Sequence, residues 1–436
     1  MKKVLLAMAL LVVMTLAFTA CTGNEDTPAD TAANNQNQAD TSTDISGEIT
    51  IVNNKIEIDA ALRDFARLYE DRFGVRVNVH SFGGETPYAP ALAAMFSGGD
   101  EPEIFVMEGM TDFISARDSG RVFDLTGQPW VNDTSMEFVY DGRVYGFPVA
   151  LEGWGLGYNV DILNRAGIDT STLTNVNAIR EAFETIDAMR DELGLTAVVS
   201  MAAGPGMTWV TGLHAFNAYL SLGLDYNDTT IIDMLLAGQV DEQRLMYFAE
   251  YYNMIFQFSN PSTLIVGGYD QQLGDFGTGQ TAFIHQGNWI DPTFAEWGVD
   301  FEMGYVPHAF LPQDTPGIFV GAPSWYVVNA RANNIDAALH FLNFMASSPE
   351  GHEYMVVHSG AVPAFYSVTH IPAGQFSQAV NEWSGRGQVY AWHQNDMPAG
   401  FGMNTLGPIF ELMAAGSIDP AEFVRLVTEA VATIAP

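Results

Sequence analysis

The chain has 436 residues, with 17 Lys and Arg against 52 Asp and Glu, nine His and a single Cys. That length suggests about two to three domain-sized units, and 48% hydrophobic side chains are enough to build packed cores rather than a disordered chain. A formal net charge of -35 repels phosphate backbones and anionic headgroups, which argues against nucleic acid and electrostatic membrane attachment, and one cysteine excludes an internal disulfide framework or a thiolate metal cluster.

In chain order, Met1 to Lys3 is basic, Val4 to Ala20 is apolar or small, and the small residue Ala20 precedes Cys21. This is the pattern of a secretory signal peptide, expected over residues 1–20; as a membrane span it would be short, at ~17 residues. The segment resembles a bacterial lipoprotein signal, in which the cysteine after the cleavage site is lipidated, although Phe18 stands where Leu is usual. Residues 22–46 are mostly Thr, Asn, Gln, Asp and Ala and cannot bury enough surface to offset their ordering entropy, so residues 21–46 are expected to be a lipid-anchored flexible tether. The protein would then sit on the outer face of a cell membrane, extracellular or periplasmic. Once the signal is removed, Lys55 is the only lysine left.

The run Ile49, Ile51, Val52 predicts a strand, residues 60–73 place Leu62, Phe65, Leu68, Tyr69 and Phe73 on one helical stripe, and Val75, Val77 and Val79 alternate as a second strand. Gly74 stands where that helix would stop. The unit has the size of a right-handed βαβ crossover. A helix over 89–96 and a buried strand over 103–107 follow, and strands recur at 197–200, 281–285, 303–306 and 325–329. Ile335 to Met345 predicts an apolar helix, and Ser348-Pro349 offers an N-cap and a first-turn proline for another. The folded part therefore reads as α/β, in two lobes.

The order of these segments resembles the extracellular solute-binding proteins of carbohydrate ABC importers, the family that includes the maltose-binding proteins. The stretches that carry the resemblance are Glu101-Pro102-Glu103-Ile104-Phe105, Ser119 to Leu125, Tyr140 to Pro148, Gly157 to Leu163, Phe276 to Phe283 leading to Gly287-Asn288-Trp289, and Ala337 to Gly351 ending in Gly360 to Ala364. Each is weak alone, and their order makes the match. The resemblance implies a periplasmic-binding-protein-like α/β fold, with two discontinuous lobes joined by crossing strands around a central ligand cleft. The first lobe is expected over 47–148 and 317–363, and the second over 149–316 and 364–436. Crossings are expected near Phe147 to Glu152, Leu311 to Val320 and Pro363 to Ser367. It implies a monomeric receptor that captures a sugar or oligosaccharide by lobe closure and delivers it to ABC permease subunits, with no cofactor, catalytic residue or metal.

A sugar offers hydroxyls at its edge and C–H groups on its faces, so its cleft needs carboxylates, amides and aromatic plates. The resemblance places an acidic ligand near Glu152, with Trp154 beside it, a stacking tryptophan at Trp289 and a hydroxyl partner at Asn288. Trp325 follows the second crossing, and Trp209 stands where the second lobe often offers an aromatic. In the first lobe the loops after the strands supply Asn54 and Lys55, Ser81 and Glu85, and Glu108. Trp383, Trp392 and Phe401 lie where a last stacking residue is expected. For each of these a plain core or surface role is the competing reading. Glu108 departs from the aromatic-rich position of the maltose-binding members, which argues against maltodextrin.

No zinc-protease, nucleophile-elbow, Walker or dinucleotide motif appears in a fitting context, and His352 and His358 are too far apart in register for a zinc pair. Two alternatives stay open: a secreted glycosidase, which needs two facing carboxylates, and a two-lobed receptor for a polyamine or a peptide, with a dominantly ionic cleft.

Overall fold

The computed structural model describes residues 45–83 and 88–434. The expected signal segment, Cys21, the tether as far as Asp44, and Glu85 lie outside the described residues.

Strand β1 (Glu48–Asn53), helix α1 (Asp59–Phe73) and strand β2 (Arg76–Ser81) form the predicted crossover, with β1 and β2 parallel. Helix α1 buries Leu62, Phe65, Ala66 and Tyr69, one stripe at helical spacing, and each fully buried large side chain contributes about 1.5–3 kcal/mol; of the other residues expected on that stripe, Phe73 is partly buried and Leu68 is exposed. Gly74 ends it at φ 70°, where its N–H donates to Glu70 O at 2.8 Å, a left-handed position that glycine takes without a Cβ clash. Helix α2 (Tyr88–Gly98), strand β3 (Ile104–Met107) and helix α3 (Met110–Asp118) continue the pattern.

Nine further strands complete two sheets: β4 (Phe138–Tyr140), β5 (Arg143–Pro148), β6 (Glu152–Asn159), β7 (Val199–Ser200), β8 (Phe283–Gly287), β9 (Met303–Val306), β10 (Ile318–Gly321), β11 (Trp325–Val328) and β12 (Val389–Tyr390). The first sheet has the order β2-β1-β3-β11-β5-β4; the second has β12-β10-β6-β8-β7, with β9 also on β6. Each carries its own apolar core, one with Ile49, Phe65, Tyr69 and Phe341, the other with Leu156, Phe216, Phe248 and Phe283. This is a two-lobed α/β fold.

The chain changes sheet between Pro148 and Glu152, and again between Gly321 and Trp325. Strand β10 pairs with β6, so residues 318–321 belong with the second sheet, and the expected return at 311–320 and boundary at 317 fall one strand too early. Ala364, Phe365 and Val368 pack into the first core, so the last passage lies beyond the expected 363–367 and before Gln375, which opens a helix against β6 and β9. Leu151 N–H donates to Val362 O at 2.8 Å, tying two of the linking segments together. Ser348 caps the helix Pro349–Glu353 as predicted, its Oγ accepting from Gly351 N–H at 2.9 Å.

Candidate functional site

Ligands of open α/β sheets bind beyond the carboxyl ends of the strands, where loops replace regular structure. After β1, buried Asn53 donates from Nδ2 to Lys55 O at 2.6 Å and to Ser81 Oγ at 3.2 Å, which fixes the loop Asn54 to Glu57. After β3, Glu108 receives a hydrogen bond from Asn54 Nδ2 at 2.6 Å, and its own N–H donates to Asp112 Oδ2 at 2.9 Å. At Gly109 a Cβ would lie 2.6 Å from Asn395 O, so only glycine lets this loop meet the facing segment.

The second lobe answers with aromatic rings. Trp209 and His214 lie on a π-helical turn, Trp209–Ala215, with ring centroids 5.3 Å apart. At Gly212 a Cβ would stand 2.0 Å from Gly402 O, so this turn packs directly on the backbone of a second one, Phe401–Leu406. Trp289 follows β8; its Nε1 donates to Gln286 Oε1 at 2.9 Å, and its ring lies over Gly287, where a Cβ would be 2.0 Å away. The Gly287-Asn288-Trp289 triplet thus has a mechanical meaning: the glycine makes room for the tryptophan to fold back over the strand. Tyr269 completes the wall, 5.8 Å from Trp209.

These groups enclose a cavity of about 880 Å³, lined by Asn54, Lys55, Glu57, Glu152, Trp209, His214, Tyr269 and Trp289 among others. A neighbouring chamber of about 400 Å³ adds Glu108, Asp112, Trp392 and Gln394. Both share Lys55, Glu152, Trp209 and His214, which makes them two arms of one cleft. Its volume suits an oligomeric small molecule.

At the junction, Lys55 from the first lobe pairs with Glu152 at the start of β6, and Nζ is 4.0 Å from Glu57 Oε1. Burial by itself would lower the Lys55 pKa, but Glu152, Glu57 and Glu108 together raise it above the ordinary lysine value, so it stays charged. Loss of solvent raises the Glu57 and Glu108 carboxyls, and Lys55 offsets part of that. Burial, then His285 and Lys55, push His214 down to about 3, so the imidazole is neutral at pH 7. The cleft can therefore accept hydrogen bonds and stack on apolar faces, while its single ammonium is engaged by Glu152.

Of the residues expected from the sequence, Glu152, Trp289, Asn54, Lys55, Glu108, Trp209 and Trp392 line this cleft. Six do not. Trp383 lines another cavity beside Tyr305 and Gln375, and Phe401 is buried in the second core. Trp154 is 1% exposed and stacks on Phe319 at 4.2 Å, a core residue behind His214. Asn288 is buried with both ends of its amide used, Oδ1 accepting from Gly153 N–H at 2.8 Å and Nδ2 donating to Ser377 Oγ at 3.1 Å. Trp325 donates to Met136 O at 2.7 Å and lines neither chamber but an adjoining cavity of about 330 Å³, which shares Gly109, Trp392 and Asn395 with the smaller one. Ser81 accepts from Asn53 and supports the loop from behind.

The sequence reading missed His214, Tyr269, Glu57, Asp112 and Gln394. Trp209 and His214 are five apart, about 140° around an ordinary α-helix; the wider π turn brings them to one face, and 3.6-residue periodicity does not reveal it.

Residues 64–399, well over half of the chain, match the model of the family described as bacterial extracellular solute-binding protein. A maltooligosaccharide ABC transporter solute-binding lipoprotein of Streptococcus pneumoniae is 22% identical over 299 residues, covering 66% of this chain and 66% of that protein, just under two thirds of its length. Among solved structures, a sugar transporter protein of Bacillus licheniformis in complex with stachyose superposes with a TM-score of 0.69 at 16% identity, covering 89% of this chain and 100% of the other. A chitin oligosaccharide binding protein does so with a TM-score of 0.71 at 16% identity, over 89% and 98%. With two lobes, a cleft between them and this family match, the chain belongs to the bacterial extracellular solute-binding proteins.

Proposed function

We propose that this protein is the sugar-capturing receptor of an ABC importer, held on the outer face of the membrane by a lipid on Cys21 and acting as a monomer. The observation that carries the reading is the pairing of three aromatic rings, Trp209, Tyr269 and Trp289, with Lys55, Glu57 and Glu152 around one interlobe cleft. Aromatic plates cover the C–H faces of a sugar ring, and the carboxylates and amide at their edge accept and donate to its hydroxyls. The neutral His214 adds a hydrogen-bonding group that carries no charge to desolvate. The named relatives and neighbours, which bind oligosaccharides, support the same substrate class.

In mechanism no bond is made or broken. A solute that touches both lobes binds the closed arrangement better than the open one, and that difference in affinity drives closure. The closed form then presents matched lobe surfaces to the permease subunits. The test is thermal unfolding of the purified protein against mono- and oligosaccharides. A ligand at about 100 times its dissociation constant adds roughly 2.7 kcal/mol, which gives a readable rise in melting temperature. A rise with one sugar class and unchanged sugar on recovery supports the receptor; cleaved sugar on recovery would transfer the site to a glycosidase, and no rise with any sugar would refute the substrate class.

A further inference from the structure

The two arms of the cleft are not alike. The larger carries Trp209, Tyr269 and Trp289 with Glu57 and Glu152, whereas the smaller, which shares Trp209 and Glu152, adds Glu108 and Asp112, the backbone N–H of Glu108 donating to Asp112 Oδ2. Over both arms the lining holds four carboxylates, Glu57, Glu108, Asp112 and Glu152, against one ammonium, Lys55. That ammonium is engaged by Glu152, with Glu57 4.0 Å away. Among the described residues the ion pairs include none to Glu108 or Asp112.

A second, independent feature marks the same arm as a place for a ligand. Trp392 and Gln394 line it, they are 7% and 6% exposed, and Trp392 Nε1 and Gln394 Oε1 are buried without a hydrogen-bond partner. An unpartnered buried donor or acceptor is destabilising, of the order of 1–3 kcal/mol, unless something arrives to satisfy it. One indole donor and one amide acceptor fit the two roles of a sugar hydroxyl, and the adjacent carboxylates fit a cation.

We infer that the arm lined by Glu108, Asp112, Trp392 and Gln394 receives a sugar unit bearing a protonated amine, so that the ligand is an amino-sugar oligosaccharide with at least one free amino group. The inference rests on the receptor reading and narrows its substrate class. The ammonium lies between Glu108 and Asp112, the hydroxyls of that unit meet Trp392 Nε1 and Gln394 Oε1, and the remaining units stack along Trp209, Tyr269 and Trp289. Lys55 lines the same arm but is already paired with Glu152, so Glu108 and Asp112 leave an excess of negative charge that is costly to enclose when the lobes close, and an ammonium carried by the ligand removes that cost. Lost solvent raises the Glu108 carboxyl, Lys55 offsets part of that and Asp112 adds to it, so the one ammonium of the cleft does not cancel the displacement.

The experiment is titration calorimetry of the purified protein with oligosaccharides of two to five units in the gluco and galacto series. Each is supplied as the free amine, as its N-acetylated form and as the parent neutral sugar, with spermidine as a non-sugar cation. The expected result is at least tenfold tighter binding of one free-amine oligosaccharide than of its N-acetylated form at low salt, with the ratio shrinking as salt is raised. In a Glu108→Gln, Asp112→Asn variant the ratio falls to within about threefold. The salt dependence of the native protein decides the matter even where that variant does not fold. Equal or tighter binding of the N-acetylated or neutral form overturns the inference and leaves the receptor standing. Failure of every sugar to bind, with or without a spermidine response, overturns the sugar receptor and the inference together.

Discussion

Replacing Lys55 with Met keeps most of the apolar stem of the side chain and deletes the ammonium at the junction of the two arms. Its partner Glu152 is only 12% exposed in its side chain, and Glu57 and Glu108 belong to the same electrostatic cluster. Stranding one member of a buried ion pair destabilises by about 3–5 kcal/mol when the survivor must stay charged. Here a ceiling applies. A carboxyl with an ordinary value of about 4.3 can instead take up a proton, which at pH 7 limits the loss to roughly 3.7 kcal/mol, at 1.36 kcal/mol per pH unit. The sign follows from the same relation: the deficit is largest at neutral pH, shrinks by about 1.4 kcal/mol for each unit of acidification, and is gone near pH 4. Urea unfolding followed by tryptophan fluorescence at pH 7 and pH 5 measures it, provided the slope with denaturant is unchanged. A loss of about 2–3.7 kcal/mol at pH 7 and under about 1 kcal/mol at pH 5 is expected. Adding Glu152→Gln should recover most of the deficit, because removing both charges is close to neutral. A Lys55→Met protein within about 0.5 kcal/mol of the native one, or one whose deficit ignores pH, would refute the reasoning.

Three other perturbations separate the cleft from the core. Trp289→Ala should weaken sugar binding by about 1–3 kcal/mol with little change in unfolding, while Trp154→Ala should cost about 3–5 kcal/mol of stability, since its ring is 1% exposed against Phe319; the two are read by calorimetry and denaturation side by side. Gly287→Ala introduces a Cβ 2.0 Å from the Trp289 ring and should displace that plate, lowering affinity while far-ultraviolet circular dichroism stays native. Burial holds His214 and His285 at about 3 and His308 well below its usual value, so the unfolded chain binds more protons below pH 6.5. Stability from these three is complete above about pH 6.5 and falls on acidification toward pH 3, by up to about 1.4 kcal/mol per pH unit for each, with the raised Glu57 and Glu108 opposing part of it. A His285→Asn, His308→Asn protein should show a shallower acid slope in pH-dependent urea unfolding, and an unchanged slope would contradict the assignment.

What the sequence by itself determined was local and periodic. The apolar stripe of residues 60–73, the alternation of Val75, Val77 and Val79, Gly74 as a stop and Ser348-Pro349 as a start are contained in a few neighbouring residues, and the structure forms each of them. Lys55, Glu152, Trp209 and Trp289 stood out as candidates because of their places in the order of segments, and one cavity is lined by all four. Tertiary structure alone decided the rest. Trp154 follows Gly153 and Trp289 stands two residues after Gly287, and only the packing of Phe319 against one and the open cleft before the other tell the two tryptophans apart. Asn288 was consumed by Gly153 and Ser377, partners 135 and 89 residues away. His214 joined the site through a π turn that a 3.6-residue period hides, and Gln394 and Asp112 met across the two lobes. Whether a polar or aromatic side chain is free to meet a ligand depends on what else satisfies it, and those partners lie far along the chain, where no spacing rule reaches.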